Sequence, residues 1–171
     1  MRKQLRNYTA GTGFLSTPFV SGVLTKFGYA DTAYRMMENT KAPGWLAMVE
    51  GGATSIWETY IMYDEKGHPL GHSMNHYSPG AVCAWLFDTV CGIRIIGKNR
   101  FLVRPIPGGT LTHAKAEYLS PYGRIISGRE KEKDGIVFHV TIPSNCHARI
   151  ELPDGTVREE KSGGYRYLIS E

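Results

Sequence analysis

Several features that often announce a function are scarce or missing in this sequence. Only three cysteines are present, Cys83, Cys91 and Cys146, with no C-x-x-C pair to suggest zinc, and they read as small buried thiols in apolar or strand-like segments. No G-x-x-x-x-G-K-[ST] or G-x-S-x-G run occurs, and Gly11-Thr12-Gly13 has no preceding strand, so phosphate-loop, dinucleotide and serine-hydrolase readings fall away. Charge of one sign is not in large excess. Twenty Lys and Arg against sixteen Asp and Glu leave +4, scattered beyond Met1 to Arg6, which is too weak a surplus to imply nucleic acid. No basic start followed by an apolar stretch marks a secretory signal, so a cytoplasmic location is expected of the chain as written. Nothing in the composition suggests a membrane segment.

What remains is the composition of a globular protein. The 171 residues are 42% hydrophobic and 21% charged, with a mean hydropathy of −0.27, and the length suits one ordinary domain or two small ones. The hydrophobic period changes along the chain, and that change predicts two layers of different kind. From Thr17 to Gly28, Phe19, Val20, Val23, Leu24 and Phe27 recur at helical spacing after a Thr17-Pro18 start and before Gly28. Asp31 reads as the cap of a second helix through about Thr40, with Ala33, Tyr34 and Met37 on one side. Trp45 to Gly51 reads as a further turn or two. Thr59 to Ser73, with Gly67, Pro69 and Gly71, reads as a long irregular loop. Pro79 to Cys91 returns to helical spacing through Val82, Trp85, Leu86, Thr89 and Val90, with Gly92 as its cap.

After Lys98 the period becomes two. Ala114, Ala116 and Tyr118 alternate with polar neighbours, as do Ile136, Phe138, Val140 and Ile142, then Ala148, Ile150 and Leu152, then Tyr165, Tyr167 and Ile169. Asp134-Gly135, Asp154-Gly155 and Pro121-Tyr122-Gly123 supply turns. The expected class is α+β: helices in residues 1–96, then an antiparallel β-sandwich in residues 97–171. Three or four helices make a poor core by themselves, and the chain starts without a cap signal. An upstream part of a longer protein is therefore expected, and with it self-association through uncovered apolar faces.

Two groups of residues are suited to chemistry. Glu58 lies among Ile56, Trp57 and Tyr60 where helical pattern gives way to loop, and such surroundings raise a carboxyl pKa toward the range where it accepts a proton from water. The plainer alternative is an exposed helix-end glutamate, and Glu50 and Asp64 compete by composition. Asn75-His76-Tyr77 precedes a helix, where amide and imidazole can bond hydroxyl groups while aromatic faces stack on sugar C–H surfaces. The alternative is that Asn75 caps and His76 satisfies a loop carbonyl. His68, His72 and His76 share a spacing of four, but Gly67, Pro69 and Gly71 oppose the helix that would align them on a metal. No cofactor or metal is expected. Trp45 serves as either a sugar platform or a core residue.

In order and interval, Thr12-Gly13-Phe14-Leu15-Ser16-Thr17-Pro18-Phe19, Gly52-Ala53-Thr54-Ser55-Ile56-Trp57-Glu58 and Ser73-Met74-Asn75-His76-Tyr77 resemble bacterial α-L-rhamnosidases of glycoside hydrolase family 78. The likeness continues through Trp85-Leu86, Gly92-Ile93, Arg104-Pro105, Pro121-Tyr122-Gly123, Ile142-Pro143-Ser144-Asn145 and Ser162-Gly163. It implies the last helices of an (α/α)₆ barrel followed by a β-sandwich, and it implies inversion by two carboxyl groups about 6.5–9.5 Å apart. By this resemblance Glu58 matches the water-activating base and His76 a histidine that contacts rhamnose. Asn75, Trp57 and Tyr60 are the neighbouring sugar-site positions, Tyr60 standing where the family usually has a second Trp. The family's general acid lies in an Asp-Cys-Pro-Gln-Arg-type segment, which this sequence does not contain. The expected partners are rhamnose-containing glycosides and the upstream half of the enzyme, the alternative function is a non-catalytic carbohydrate-binding β module, and the chain alone is expected to be inactive.

Overall fold

The computed structural model describes residues 8–170 and divides into two compact units between Trp85 and Leu86. The first is helical. Helix α1 (Thr17–Lys26) starts beside Pro18, which suits a first turn whose N–H groups have no partner in the helix. Ser16 rather than Thr17 occupies the cap position, and its side chain makes no capping bond. The Thr17 hydroxyl is instead buried against the preceding turn, within 3.0 Å of both the Thr12 and Gly13 carbonyl oxygens. Phe27 closes the helix and Gly28 follows at φ +83°, the left-handed turn that the sequence predicts there. Helix α2 (Ala30–Met37) begins one residue before Asp31, which sits in its first turn and does not cap it, and ends short of Thr40.

The face that α1 buries is not the apolar one. Thr17, Ser21 and Leu24 are buried, while Phe19 is 66% and Phe27 68% exposed, with Val23 and Leu15 also open. Phe19 and Val23 are four positions apart on the helix and Phe27 follows at its end, so the three form one ridge, with Leu15 open just before the helix starts. The core of this unit is built from α2 and the aromatics beyond it. Tyr34 and Trp85 meet edge to face at 4.9 Å, and the Trp85 indole N–H donates to the Thr25 hydroxyl at 2.9 Å. Trp45, at the start of α3 (Trp45–Glu50), is buried and donates from its indole to the Pro79 carbonyl at 2.9 Å, so it is a core residue. The single helix expected over Pro79–Cys91 is broken into α4 (Tyr77–Gly80), α5 (Val82–Trp85) and a π-helical turn (Leu86–Val90). No helix among the described residues is long and apolar enough to cross a membrane.

The second unit is one six-stranded sheet of β1 (Ile93–Gly97), β2 (Arg100–Val103), β3 (His113–Ser120), β4 (Gly123–Glu132), β5 (Gly135–Glu151) and β6 (Val157–Ile169). The path is β1-β2-β5-β4-β3, with β6 also on β5. This corrects the wholly antiparallel sandwich: β2 runs parallel to β5, with Arg100 opposite His147 and Val103 opposite Ile150. Strand β5 makes this possible by changing neighbours. Residues 135–141 pair with β4, residues 147–150 pair with β2, and the register on β6 shifts between Ile142 and His147, where Asn145 has φ +60°. Strand β1 pairs with β2, so the sheet begins before residue 97.

The expected turns carry the hairpins. Asp154 accepts the Thr156 N–H and hydroxyl, each at 2.9 Å, and the Ser120 hydroxyl donates to the Gly123 carbonyl at 2.7 Å. Gly92 has φ +78° and presses on the Arg104–Pro105 backbone so closely that a Cβ there would lie 2.2 Å from the Pro105 nitrogen. Phe138, Val140 and Ile142 are buried as the alternation predicts; Val137 is buried too, Ile136 only in part, and Tyr118 is exposed. Cys91 and Cys146 are buried free thiols, but Cys83 is exposed. Phe138 has ~1% of its surface in solvent, so Phe138→Ala is expected to cost roughly 3–5 kcal/mol. Phe19→Ser on the open ridge is expected to stay within about 0.5 kcal/mol. Denaturant unfolding of both variants tests this contrast.

Candidate active site

The site is assembled in the first unit by two irregular segments lying side by side. The Glu58 N–H donates to the Ser73 carbonyl at 2.9 Å, and the His76 N–H to the Ile56 carbonyl at 2.9 Å. The Ser55 hydroxyl closes the same seam on the Met74 carbonyl. These bonds satisfy backbone groups that neither helix nor sheet takes up, and they bring residues 55–58 next to residues 73–76. Trp57 anchors one side. It is 4% exposed and packs with Met48 and Met62, with Ala53, Ile56 and Tyr60 around them. This corrects its expected place in a sugar wall: the indole is in the core, under Gly51, and offers no free face.

Glu58, the next residue, is half-buried. Its Oε2 accepts the Ser73 N–H at 2.8 Å, which tethers the carboxylate, and Oε1 has no partner among the described residues. Tyr60 is held by its hydroxyl, which donates to the Ala10 carbonyl at 3.2 Å, and by an edge-to-face contact with Trp45 at 5.9 Å. Burial pushes its pKa up to about 12, so it stays a neutral donor.

His76 is the most constrained of the expected residues. Its ring stacks between Phe14, at 4.6 Å and 28°, and Tyr77, at 5.0 Å and 21°. It caps α4: Nδ1 accepts the Ser78 N–H at 3.2 Å. A neutral imidazole that accepts at Nδ1 carries its proton on Nε2, so the open nitrogen is a donor. Histidine, not Asn75, is therefore the cap. Asn75 is exposed, its backbone knotted to the Ser73 hydroxyl, and its amide is left free among the described residues.

Sequence reasoning misses Phe14, Ser73 and Ser78 as site residues. Phe14 supplies a stacking face and its carbonyl accepts the Ser78 hydroxyl at 2.6 Å. Its only signal is that it falls inside the first resembling motif. The rival acids are placed elsewhere: Glu50 is exposed at the end of α3, and Asp64 is consumed by its own loop, accepting the Lys66 and His68 N–H groups at 2.8 Å each. His68 pairs with that carboxylate at 3.1 Å and lies on irregular chain with His72. No cluster of metal-ligating side chains occurs among the described residues. Together, Glu58, His76 and Asn75 with the Phe14 and Tyr77 rings present an acceptor, two donors and apolar faces, a set that suits a polyhydroxylated ring.

The bacterial α-L-rhamnosidase 6-hairpin glycosidase domain model matches residues 2–90, and the bacterial α-L-rhamnosidase C-terminal domain model matches residues 96–166. The chain belongs to the bacterial α-L-rhamnosidase family. It is 36% identical over 147 residues to an α-L-rhamnosidase of Formosa agariphila, covering 83% of this chain and 16% of that protein. It is 31% identical over 155 residues to one of Streptomyces avermitilis, covering 88% and 15%. In solved structures, the α-L-rhamnosidase of Aspergillus terreus aligns at TM-score 0.88 and 31% identity over 98% of this chain and 20% of its own. The Streptomyces avermitilis enzyme complexed with L-rhamnose aligns at 0.89 and 28%, over 98% and 19%. The chain thus spans about a sixth of the curated relatives it matches and corresponds to the C-terminal portion of a rhamnosidase.

The loop that delivers Ser73 has a pH limit. Asp64 is held below its ordinary range, first by the His68 N–H. A lowered folded-state pKa contributes order that is complete above the unfolded value of about 3.9 and lost as pH falls through the lower folded value. The Lys66 amide resonance is expected to shift in NMR spectra as the Asp64 carboxylate takes up a proton below about pH 4, and Asp64→Asn should remove that step.

Proposed function

We propose that this chain carries the water-activating half of an inverting α-L-rhamnosidase-like glycoside hydrolase, which removes terminal α-L-rhamnosyl residues from glycosides. The observation that supports it most is the pairing of residues 55–58 with 73–76, which holds the half-buried Glu58 carboxylate beside the segment bearing Asn75 and His76. In this reading Oε1 of Glu58 takes a proton from a water molecule while the water oxygen bonds to the anomeric carbon from the face opposite the leaving group. The fixed Oε2 keeps the open oxygen aimed. His76 donates from Nε2 to a sugar hydroxyl, its ring kept from rotating by Phe14 and Tyr77. Asn75 adds a second polar contact, and Tyr60 supports the floor from which Glu58 projects.

The departing oxygen needs a proton from a second carboxylic acid, and the sequence holds no Asp-Cys-Pro-Gln-Arg-type segment to supply it. That acid would come from preceding helices of the six-hairpin domain. The ridge of Phe19, Val23 and Phe27 on α1, with Leu15 open just before it, offers those helices an apolar seat. Self-association through the same ridge competes when they are missing, and Phe19→Ser with Phe27→Ser should reduce it in sedimentation.

Release of nitrophenol from an aryl α-L-rhamnoside tests the reading. The 171-residue chain alone should release none above background. With the upstream helices supplied, hydrolysis should appear with inversion at the anomeric carbon, and Glu58→Gln should lower kcat by about 10²–10⁴. Hydrolysis unaffected by Glu58→Gln would overturn the assignment of the base.

A further inference from the structure

The turn that carries Phe14 has one carbonyl that the helix after it cannot use. Just before it, the Gly13 carbonyl accepts the Ser16 and Thr17 N–H groups at 2.9 and 3.0 Å and the Thr17 hydroxyl at 3.0 Å. The Phe14 carbonyl would take the N–H four residues on, but that residue is Pro18, which has none. The donor comes from 64 residues along the chain: the Ser78 hydroxyl reaches the Phe14 carbonyl at 2.6 Å.

Ser78 is itself held firmly. It is fully buried in α4, and the residue after it is anchored in the core, where the Pro79 carbonyl accepts the Trp45 indole N–H at 2.9 Å. The same serine meets His76 by a second route, since its backbone N–H donates to Nδ1 at 3.2 Å. Both bonds bear on one imidazole. In the neutral ring the N–H keeps the proton on Nε2, and the hydroxyl keeps in place the turn whose phenyl ring lies against the imidazole at 4.6 Å and 28°. Phe14 is 46% exposed, so its position depends on that backbone tether as well as on packing. Tyr77, the other ring against His76, is 74% exposed, which leaves Phe14 as the wall that the fold secures.

We propose that Ser78 is a positioning residue for sugar binding. Its N–H sets which nitrogen of His76 donates, and its hydroxyl, by pinning the Phe14 turn, sets where that nitrogen points. The role in binding rests on the rhamnosidase reading, whereas the clamp is a property of this chain alone. Without the hydroxyl the Phe14 carbonyl loses its donor, and the phenyl ring is free to follow its turn away from His76. Nε2 then samples a range of directions, and its bond to a sugar hydroxyl weakens equally in the bound substrate and in the transition state.

NMR spectra of the full 171-residue chain test the clamp. The Ser78 hydroxyl proton should exchange slowly with solvent and show a nuclear Overhauser contact to Phe14. In Ser78→Ala the contacts between the Phe14 and His76 ring protons should disappear, and the His76 ring-proton shifts should move toward those of an exposed histidine. Should that variant fail to fold, Ser78→Cys, close in size and a weaker donor, carries the same expectation. With the upstream helices supplied, the variant should raise KM for an aryl α-L-rhamnoside by about 2- to 10-fold, the worth of one neutral hydrogen bond, with kcat within about twofold. Unchanged ring contacts in the variant, or a rapidly exchanging hydroxyl in the unmodified chain, would overturn the clamp. A fall in kcat at constant KM, the mark of a merely structural loss, would overturn the role in binding. Absence of hydrolysis by the unmodified assembly would instead count against the rhamnosidase reading, and the clamp would still be decided by the spectra.

Discussion

The seam of backbone bonds between residues 55–58 and 73–76 is the constraint on which the chemistry of the helical unit depends. Neither segment belongs to a helix or a strand, so neither would hold its shape without the other. Trp57 ties the first segment to Met48 and Met62, and the His76 cap ties the second to α4. Trp57 is buried while its neighbour Glu58 is only half-buried, so the anchored indole leaves the carboxylate on the more open side. The carboxylate then borrows its orientation from the Ser73 N–H, a group with no other assignment in the fold.

Much of the helical unit was legible because apolar spacing and glycine placement are local signals. The start of α1 at Thr17 and the left-handed Gly28 can be read from a dozen residues. Which face is buried cannot. Phe19, Val23 and Phe27 mark a stripe that must be covered somewhere, and the pattern does not say by what; here Thr17, Ser21 and Leu24 face the unit's own core. Trp57 was misplaced for a related reason. An aromatic next to a candidate acid reads as part of the site, whereas the neighbouring Met48 and Met62, distant or unremarkable in sequence, are what take the indole into the core.

In the sheet, alternation and turn chemistry foretold β3, both ends of β5 as two separate segments and the end of β6, because hairpins are also local, but they gave no reading of β4 and did not join the two parts of β5. The parallel β2–β5 pair was invisible to them: an alternating strand has the same period whichever way its neighbour runs, and its partner lies far along the chain. The burial of Arg129 was equally hidden, since a basic residue on an alternating strand reads as solvent-facing. The segment preceding β1 is what takes it in, with Nη1 donating to the Val90 carbonyl at 2.8 Å.

Strand β5 has an implication for how the second unit assembles. The hairpins β3–β4, β4–β5 and β5–β6 each join neighbours in sequence and can form early, at small loop-closure cost. The β1–β2 hairpin can also close by itself, but it must wait for the far end of β5 before it has anything to join. Until then the chain carries two bare strand edges with unspent N–H and C=O groups, the kind of surface that pairs with other chains. Docking of that first hairpin is the non-local step of the sheet, and its rate sets how long a newly made chain stays vulnerable to aggregation.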